Sequence, residues 1–159
     1  MDLGCGSGRD SLYFIQKGYR VTAIDGSEEM VKLSSQLIKQ PVLHMKFQEM
    51  DFQLQFDGVW ACASLLHFND IEIEDVIKRV SKSLKTPGLF YLSFKYGDKE
   101  EWNEGRYFRY HNEKSFEKII SKHKEFEILK MSKSKDRVKI RKDKEGEYWL
   151  NVLLKKRHD

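Results

Sequence analysis

Apolar positions along the chain fall into short runs of strand length separated by stretches with helical spacing. An apolar start at residues 1–3 meets Gly4, Cys5, Gly6, Ser7 and Gly8, after which Leu12, Tyr13, Phe14 and Ile15 fit a helix. Residues 19–24, with Val21, Ala23 and Ile24 apolar, read as a strand stopped by the turn Asp25, Gly26, Ser27. Ser27 is placed to cap a helix whose first turn carries Glu28 and Glu29, where the helix dipole favours acids. Met30, Leu33, Leu37 and Ile38 form its expected apolar face.

After Pro41 the pattern predicts a short strand over 42–47, a polar stretch over 48–55 and a nearly continuous apolar strand over 56–63. Ile73, Val76, Ile77, Val80 and Leu84 recur at helical spacing, with Asn69 or Asp70 as cap. Pro87 and Gly88 end the connection to an aromatic and aliphatic strand over 89–94. Residues 95–111 read as a long polar and aromatic excursion, and Asn112 opens a helix bearing Phe116, Ile119, Ile120 and His123 on one side. Two strands close the chain, about 126–133 and 148–155, joined by a short charged connection around Asp143 to Gly146. Strands separated by helices imply right-handed crossovers and a parallel sheet covered on both faces. The last two have no helix between them and should pair as an antiparallel hairpin at one edge. The expected fold is α/β, doubly wound and mostly parallel, over a single domain 1–159.

Length and composition fit that picture: 159 residues, 40% hydrophobic and 34% charged, suit one domain with a real core. No stretch approaches the roughly 18 apolar residues of a membrane helix, and the start does not read as a secretory signal, so the expected location is cytoplasmic with no membrane partner. Cys5 and Cys62 lack metal-site spacing and read as small buried thiols, so no metal is expected. Charge is uneven. Residues 1–110 hold 14 Lys and Arg against 16 Asp and Glu, net −2, whereas residues 111–159 hold 15 against 9, net +6. A basic third of this kind can serve nucleic acid, although lysines alternating with glutamates more often form a solvated surface.

In an open α/β sheet the ligand sits beyond the carboxyl ends of the strands. Gly4, Gly6 and Gly8 lie between the first strand and first helix, where side chains would block a ligand resting on the backbone. Asp25 ends the second strand 21 positions after Gly4, near the spacing at which an acid accepts hydrogen bonds from ribose hydroxyls. Together they point to a nucleoside-containing ligand. The third glycine comes one place too early for a dinucleotide fingerprint, with Arg9 where glycine is needed, which disfavours NAD. No lysine followed by Ser or Thr completes a phosphate loop.

The run Asp2 to Gly8, with Asp25, Gly26 and Ser27, resembles the first two motifs of class I S-adenosylmethionine-dependent methyltransferases. Met50, Asp51 and Phe52 resemble the adenine-contacting turn of that family, Phe56 to Trp60 through Leu65, Leu66 and His67 its fourth strand and active-site loop, and Pro87 with Gly88 the turn before its fifth strand. The likeness extends to the closing hairpin. It implies S-adenosylmethionine as cofactor, with Gly4, Cys5, Gly6 and Gly8 along its methionine part and Asp2 toward its ammonium group. Asp25, with Gly26 and Ser27, would take the ribose; Asp51 and the Phe52 backbone would take the adenine, with Met30 or Met50 packing on the base and Ala63 nearby.

A methyl on a sulfonium needs mainly alignment for direct displacement. His67 is then the candidate base, on placement and intrinsic pKa, against a purely packing role. Lys95, Tyr96, Arg106, Tyr107 and Phe108 are the expected substrate residues, an aromatic and cationic surface for a flat or anionic small molecule. The fourth strand ends in Ala63, Ser64, Leu65, Leu66 without the signature of amino-methylating DNA enzymes, so base flipping is not supported. Family members begin with a helical segment and a full first strand, whereas only Met1 precedes Asp2; a clipped first strand and a missing covering layer are expected. Rival readings are a non-catalytic cofactor-binding domain, an RNA or protein methyltransferase, and a nucleic-acid-binding module.

Overall fold

The computed structural model describes residues 1–136 and 147–158; the charged connection expected around Asp143 to Gly146 lies outside the described residues. The parallel part of the sheet is built from β1 (Asp2–Leu3), β2 (Ala23–Asp25), β3 (Leu43–His44), β4 (Phe56–Ala61) and β5 (Leu84–Lys95). The closing strands β8 (Phe126–Lys135) and β9 (Tyr148–Lys156) follow a small hairpin, β6 (Glu100–Asn103) with β7 (Arg106–Arg109). Helices α1 (Arg9–Gln16), α2 (Glu28–Ile38), α3 (Asp70–Ser83) and α4 (Glu113–Ile120) complete the order. The sheet runs β3-β2-β1-β4-β5-β9-β8, with β9 antiparallel to both β5 and β8. This is the expected mostly parallel α/β architecture closed by an antiparallel pair. Among the described residues no helix is long and apolar enough to cross a membrane.

Alternation along the strands separates the two faces. Phe90, Leu92 and Phe94 on β5 and Leu150, Val152 and Leu154 on β9 are wholly buried, together with Ile73, Val76, Ile77 and Val80 of α3 and Phe116 of α4. Asn69 caps α3 reciprocally: its Oδ1 accepts from Glu72 N at 3.0 Å and its own N–H donates to Glu72 Oε2 at 2.9 Å. The opposite face carries Trp60 stacked on Tyr91, ring centroids 3.9 Å apart, with Phe14 of α1 edge-on to Trp60. Beyond α1 that face opens into a groove of about 960 Å³, lined also by Leu89, Lys130 and Leu153.

Several expected boundaries move. The strand expected over 19–24 narrows to Ala23–Asp25, because its partner β1 holds only Asp2 and Leu3 and a ladder needs two sides. The strand expected over 42–47 keeps only Leu43 and His44, since Phe47–Glu49 turn into a short 3-10 helix. On α2, Ile38 is buried as expected, but Leu33 and Leu37 are 46% and 44% exposed, and Ser34 faces inward in their place. A small residue is required there because Gly8 presses on the helix, its missing Cβ lying 3.0 Å from Ser34 Cβ. Strand β5 starts at Leu84, ahead of Pro87 and Gly88, which sit within it beside a register shift against β4. The excursion over 95–111 contains the β6–β7 hairpin, turned by Glu104 and Gly105, both with left-handed φ (51° and 75°), the backbone a tight two-residue turn requires.

Candidate functional site

The three glycines after β1 differ in what surrounds them. A Cβ on Gly4 would stand 2.6 Å from Ser64 Cβ and 2.9 Å from the Phe47 ring, so the chain itself excludes a side chain there. Gly8 is pressed against Ser34. Gly6 alone faces open space, with nothing within 4 Å of the place its side chain would begin, and its φ of 55° favours glycine. Its N–H donates to Asp25 Oδ2 at 2.9 Å, while Ser27 N–H donates to Asp25 Oδ1 at 2.9 Å. One carboxylate thus ties the glycine loop to the start of α2, and the loop and the acid share one side of the sheet. Each oxygen keeps a further lone pair for a ligand hydroxyl. Gly26 accepts from the His44 ring at 3.1 Å, and the Ser27 hydroxyl caps α2 by accepting from Met30 N at 3.4 Å.

Other predicted ligand residues take varied positions. Asp2 is buried, its Oδ2 accepting from Ser11 Oγ at 2.6 Å, and burial pushes its carboxyl up to about 6. Cys5 packs with Ala23, Ile38 and Val42, and burial raises its thiol to about 11, so it acts as core. Met50 is buried in the main core, whereas Met30 is half-buried at the start of α2. Asp51 is exposed beside Gln53, and Phe52 packs edge-on against Phe56. Ala63 takes a left-handed φ of 52°, uncommon without glycine, and its N–H donates to Ser93 Oγ at 2.8 Å; that turn carries Ser64 onto Gly4.

Asp2 gives the fold a pH-dependent stability. Its folded pKa, near 6, lies above the ordinary 3.8, so the folded state holds the proton more tightly. The stability this confers is present below about pH 4 and lost as pH rises through 6, about 3 kcal/mol in all. Asp2→Asn should therefore gain stability relative to the parent between pH 4 and pH 7, measured by urea unfolding at each pH. Parallel pH profiles would remove the ionised, buried Asp2 from this account.

The 3-10 turn Leu65–His67 follows β4, and the β6–β7 hairpin lies over it. His67 Nδ1 stands 2.9 Å from the Tyr107 carbonyl, its Nε2 stands 3.1 Å from Arg106 Nη2, and its ring meets Phe108 at 4.7 Å. Burial, then the Arg106 and Lys95 charges, hold the imidazole below its ordinary pKa, against the Tyr107 carbonyl. Lys95 Nζ lies over the Phe108 ring at 4.7 Å. The fold therefore gathers His67, Lys95, Arg106 and Phe108. Tyr107 contributes its carbonyl, while its ring packs on Trp102, and Tyr96 points elsewhere, its hydroxyl donating to Glu113 at 2.6 Å.

Two participants were not legible in sequence. Arg79 on α3 pairs with Asp75 at 2.8 Å and donates to the Met50 carbonyl at 2.9 Å, bracing the turn that presents Asp51. Arg109 clamps the hairpin to the start of α3 through Asp70. The dipeptide Glu104–Gly105 between alternating aromatics was the available signal for the hairpin; a bond to a backbone carbonyl leaves no signal at all. Among the described residues no cluster of three or more His, Cys, Asp or Glu is placed to hold a metal.

A family model described as a methyltransferase domain matches residues 1–88. A putative methyltransferase of Bacillus subtilis, YqeM, is 35% identical over 97 residues, spanning 56% of this chain and 39% of that protein, so the match takes in less than half of the relative's length. A solved structure of the 1,6-didemethyltoxoflavin N1-methyltransferase of Burkholderia thailandensis, with 1,6-didemethyltoxoflavin and S-adenosylhomocysteine bound, superposes with a TM-score of 0.82 at 23% identity, covering 99% of this chain and 70% of that one. The [4+2]-cyclase SpnF superposes at 0.80 with 16% identity, covering 99% and 75%. Likeness at these identities speaks for the fold.

Proposed function

Because the chain belongs to the methyltransferase domain family, whose model matches residues 1–88, we propose that it binds S-adenosylmethionine at the glycine loop and transfers the methyl group to a small-molecule acceptor beside His67. The observation that carries this reading is the shared carboxylate of Asp25 beside Gly6. Space stands open over Gly6 where a side chain would intrude, and the carboxylate retains acceptor capacity for paired hydroxyls of a ribose. Those residues fit the cofactor. A cyclase shares this architecture, so the fold by itself does not carry the activity and the residues of the site must.

When bound, S-adenosylmethionine supplies a methyl group already activated for displacement. Gly6 and its neighbours would hold the amino-acid portion, Asp25 the ribose, and Asp51 with the Phe52 N–H the adenine, on a turn braced by Arg79. The Asp25 bonds to Gly6 and Ser27 keep the loop in shape before any ligand arrives, so less ordering is needed on binding. His67 holds its Nδ1 proton on the Tyr107 carbonyl and presents Nε2 toward the hairpin side. A small acceptor is supported by the aromatic and cationic surface of Phe108, Lys95 and Arg106, and by the 1,6-didemethyltoxoflavin bound in the Burkholderia neighbour.

Calorimetry with S-adenosylmethionine and with S-adenosylhomocysteine tests the first half. Binding of both by the folded chain is expected, and absence of heat with either overturns the reading. Transfer of a labelled methyl group into a metabolite extract tests the second half. Label retained on the donor in the presence of every fraction would leave a binding domain rather than an enzyme.

A further inference from the structure

Resting on that reading, we infer that Arg106 is a displaceable cap on His67, and that the acceptor carries an anionic group beside a protonated nucleophile. A carbonyl only accepts, so the 2.9 Å contact with the Tyr107 oxygen places a proton on His67 Nδ1 and leaves a lone pair on Nε2. A guanidinium only donates, so Arg106 Nη2 at 3.1 Å occupies that lone pair. The imidazole is a base in the correct tautomer, held by Phe108 and covered.

The cover is removable. Arg106 is exposed, at the first position of β7 beside the hairpin turn, and its guanidinium swings without disturbing the core. Among the described residues it forms no ion pair, and neither does Lys95, whose ammonium rests over the rings of Phe108 and Tyr110 at 4.7 and 5.7 Å. Glu101 bonds Lys99 and the Tyr110 hydroxyl and also feels the Lys95 charge, while Asp70 and Asp98 are paired with Arg109, so none of these acids is bonded to Arg106. Arg106, which has no carboxylate partner among the described residues, and the nearby Lys95 therefore converge on one neutral histidine.

A carboxylate or phosphate arriving here offers Arg106 a charge-assisted, two-pronged partner, stronger than a neutral ring nitrogen. Its guanidinium turns to the anion and Nε2 becomes free. The acceptor's hydroxyl or N–H then passes its proton to Nε2 while its lone pair forms the bond to the methyl carbon. The carbon–sulfur pair stays on sulfur, cancelling the sulfonium charge, and the imidazolium returns the proton to water. A neutral acceptor leaves Arg106 in place and the base covered, so the same residue that recognises the substrate selects for its charge.

The test uses the full chain with S-adenosylhomocysteine bound and nitrogen-15 in its histidines and arginines. Salicylate is the probe, and salicylamide its neutral counterpart. Salicylate is expected to shift the Arg106 guanidinium and His67 Nε2 resonances, and salicylamide to shift neither. Arg106→Gln should weaken salicylate binding about tenfold, the scale of one lost charge-assisted contact, while the Nδ1–H tautomer of His67 persists. Equal responses to the two probes, no response to salicylate, or undiminished salicylate binding by Arg106→Gln each overturn the proposal. Failure to bind S-adenosylhomocysteine with the probe response intact counts against the methyltransferase reading instead.

Discussion

Asp25→Ala is expected to weaken S-adenosylmethionine binding about a hundredfold, nearly 3 kcal/mol, as measured by calorimetry. The size comes from charge-assisted hydrogen bonds to ribose hydroxyls, each worth about 1.5 to 3 kcal/mol net. The same substitution removes the acceptors of the Gly6 and Ser27 N–H groups, both at 2.9 Å. A smaller loss of stability, about 1 kcal/mol for such partly solvated groups, should accompany it. Asp25→Asn is a sharper probe. It keeps size and shape, yet its amide nitrogen must face a backbone donor at one of those positions, so the loop is disturbed and the charge is gone. Both variants should lose affinity well beyond their loss of stability. A fall in melting temperature with affinity unchanged would reduce Asp25 to a brace between loops.

The second large effect belongs to Arg109. Its side chain is only 9% exposed and donates to Asp70 at 2.8 and 3.3 Å, to Asp98 at 3.0 Å and to the Tyr110 carbonyl at 2.6 Å. Asp70 begins α3, so this one guanidinium fastens the β6–β7 hairpin, with Arg106 and Phe108 on it, to the body. Arg109→Met preserves the stem and removes the fork. Breaking a fully buried pair costs about 3 to 5 kcal/mol; because Asp70 and Asp98 are half-exposed, about 2 kcal/mol is expected here. Hydrogen exchange should rise over 100–109, while S-adenosylmethionine binding persists, since neither Asp25 nor the glycine loop touches Arg109. Unchanged exchange in the hairpin would show that other contacts hold it.

His111 adds a pH signature to this clamp. It is wholly buried, 3.4 Å from Asp70, and burial, followed by the neighbouring Arg109 charge, lowers it to about 4. The unfolded chain binds the proton more tightly, so this contribution is intact above about pH 6.5 and is lost as pH falls toward 4. Arg109→Met removes the repelling charge and should flatten that acid limb.

How far these features were legible differs from residue to residue, and the reasons are physical. Ser27, Asn69 and Asn112 announced their helices because a cap is a local bond between side chain and nearby backbone. The α3 stripe and the apolar runs of β4 and β5 were equally plain, because burial imposes a period on the chain. The glycines and Asp25 were legible as one constellation, and the fold does bring them together, the Gly6 N–H donating to Asp25.

What lay beyond that reach depends on partners distant in the chain. Strand β2 could not be measured without knowing that β1 offers it two residues, nor the inward face of α2 without Gly8 against Ser34. Gly4 and Gly8 read like ligand glycines, yet their crowding comes from Ser64, Phe47 and Ser34, and open space is left to Gly6 alone. Local chemistry and periodicity, carried by adjacent residues, prescribed the elements and the end of the sheet where the glycine loop and Asp25 meet. The tautomer of His67, its cover by Arg106 and the clamp of Arg109 arose from contacts across some forty positions, whose pairing is chosen by packing and leaves no trace in residue order.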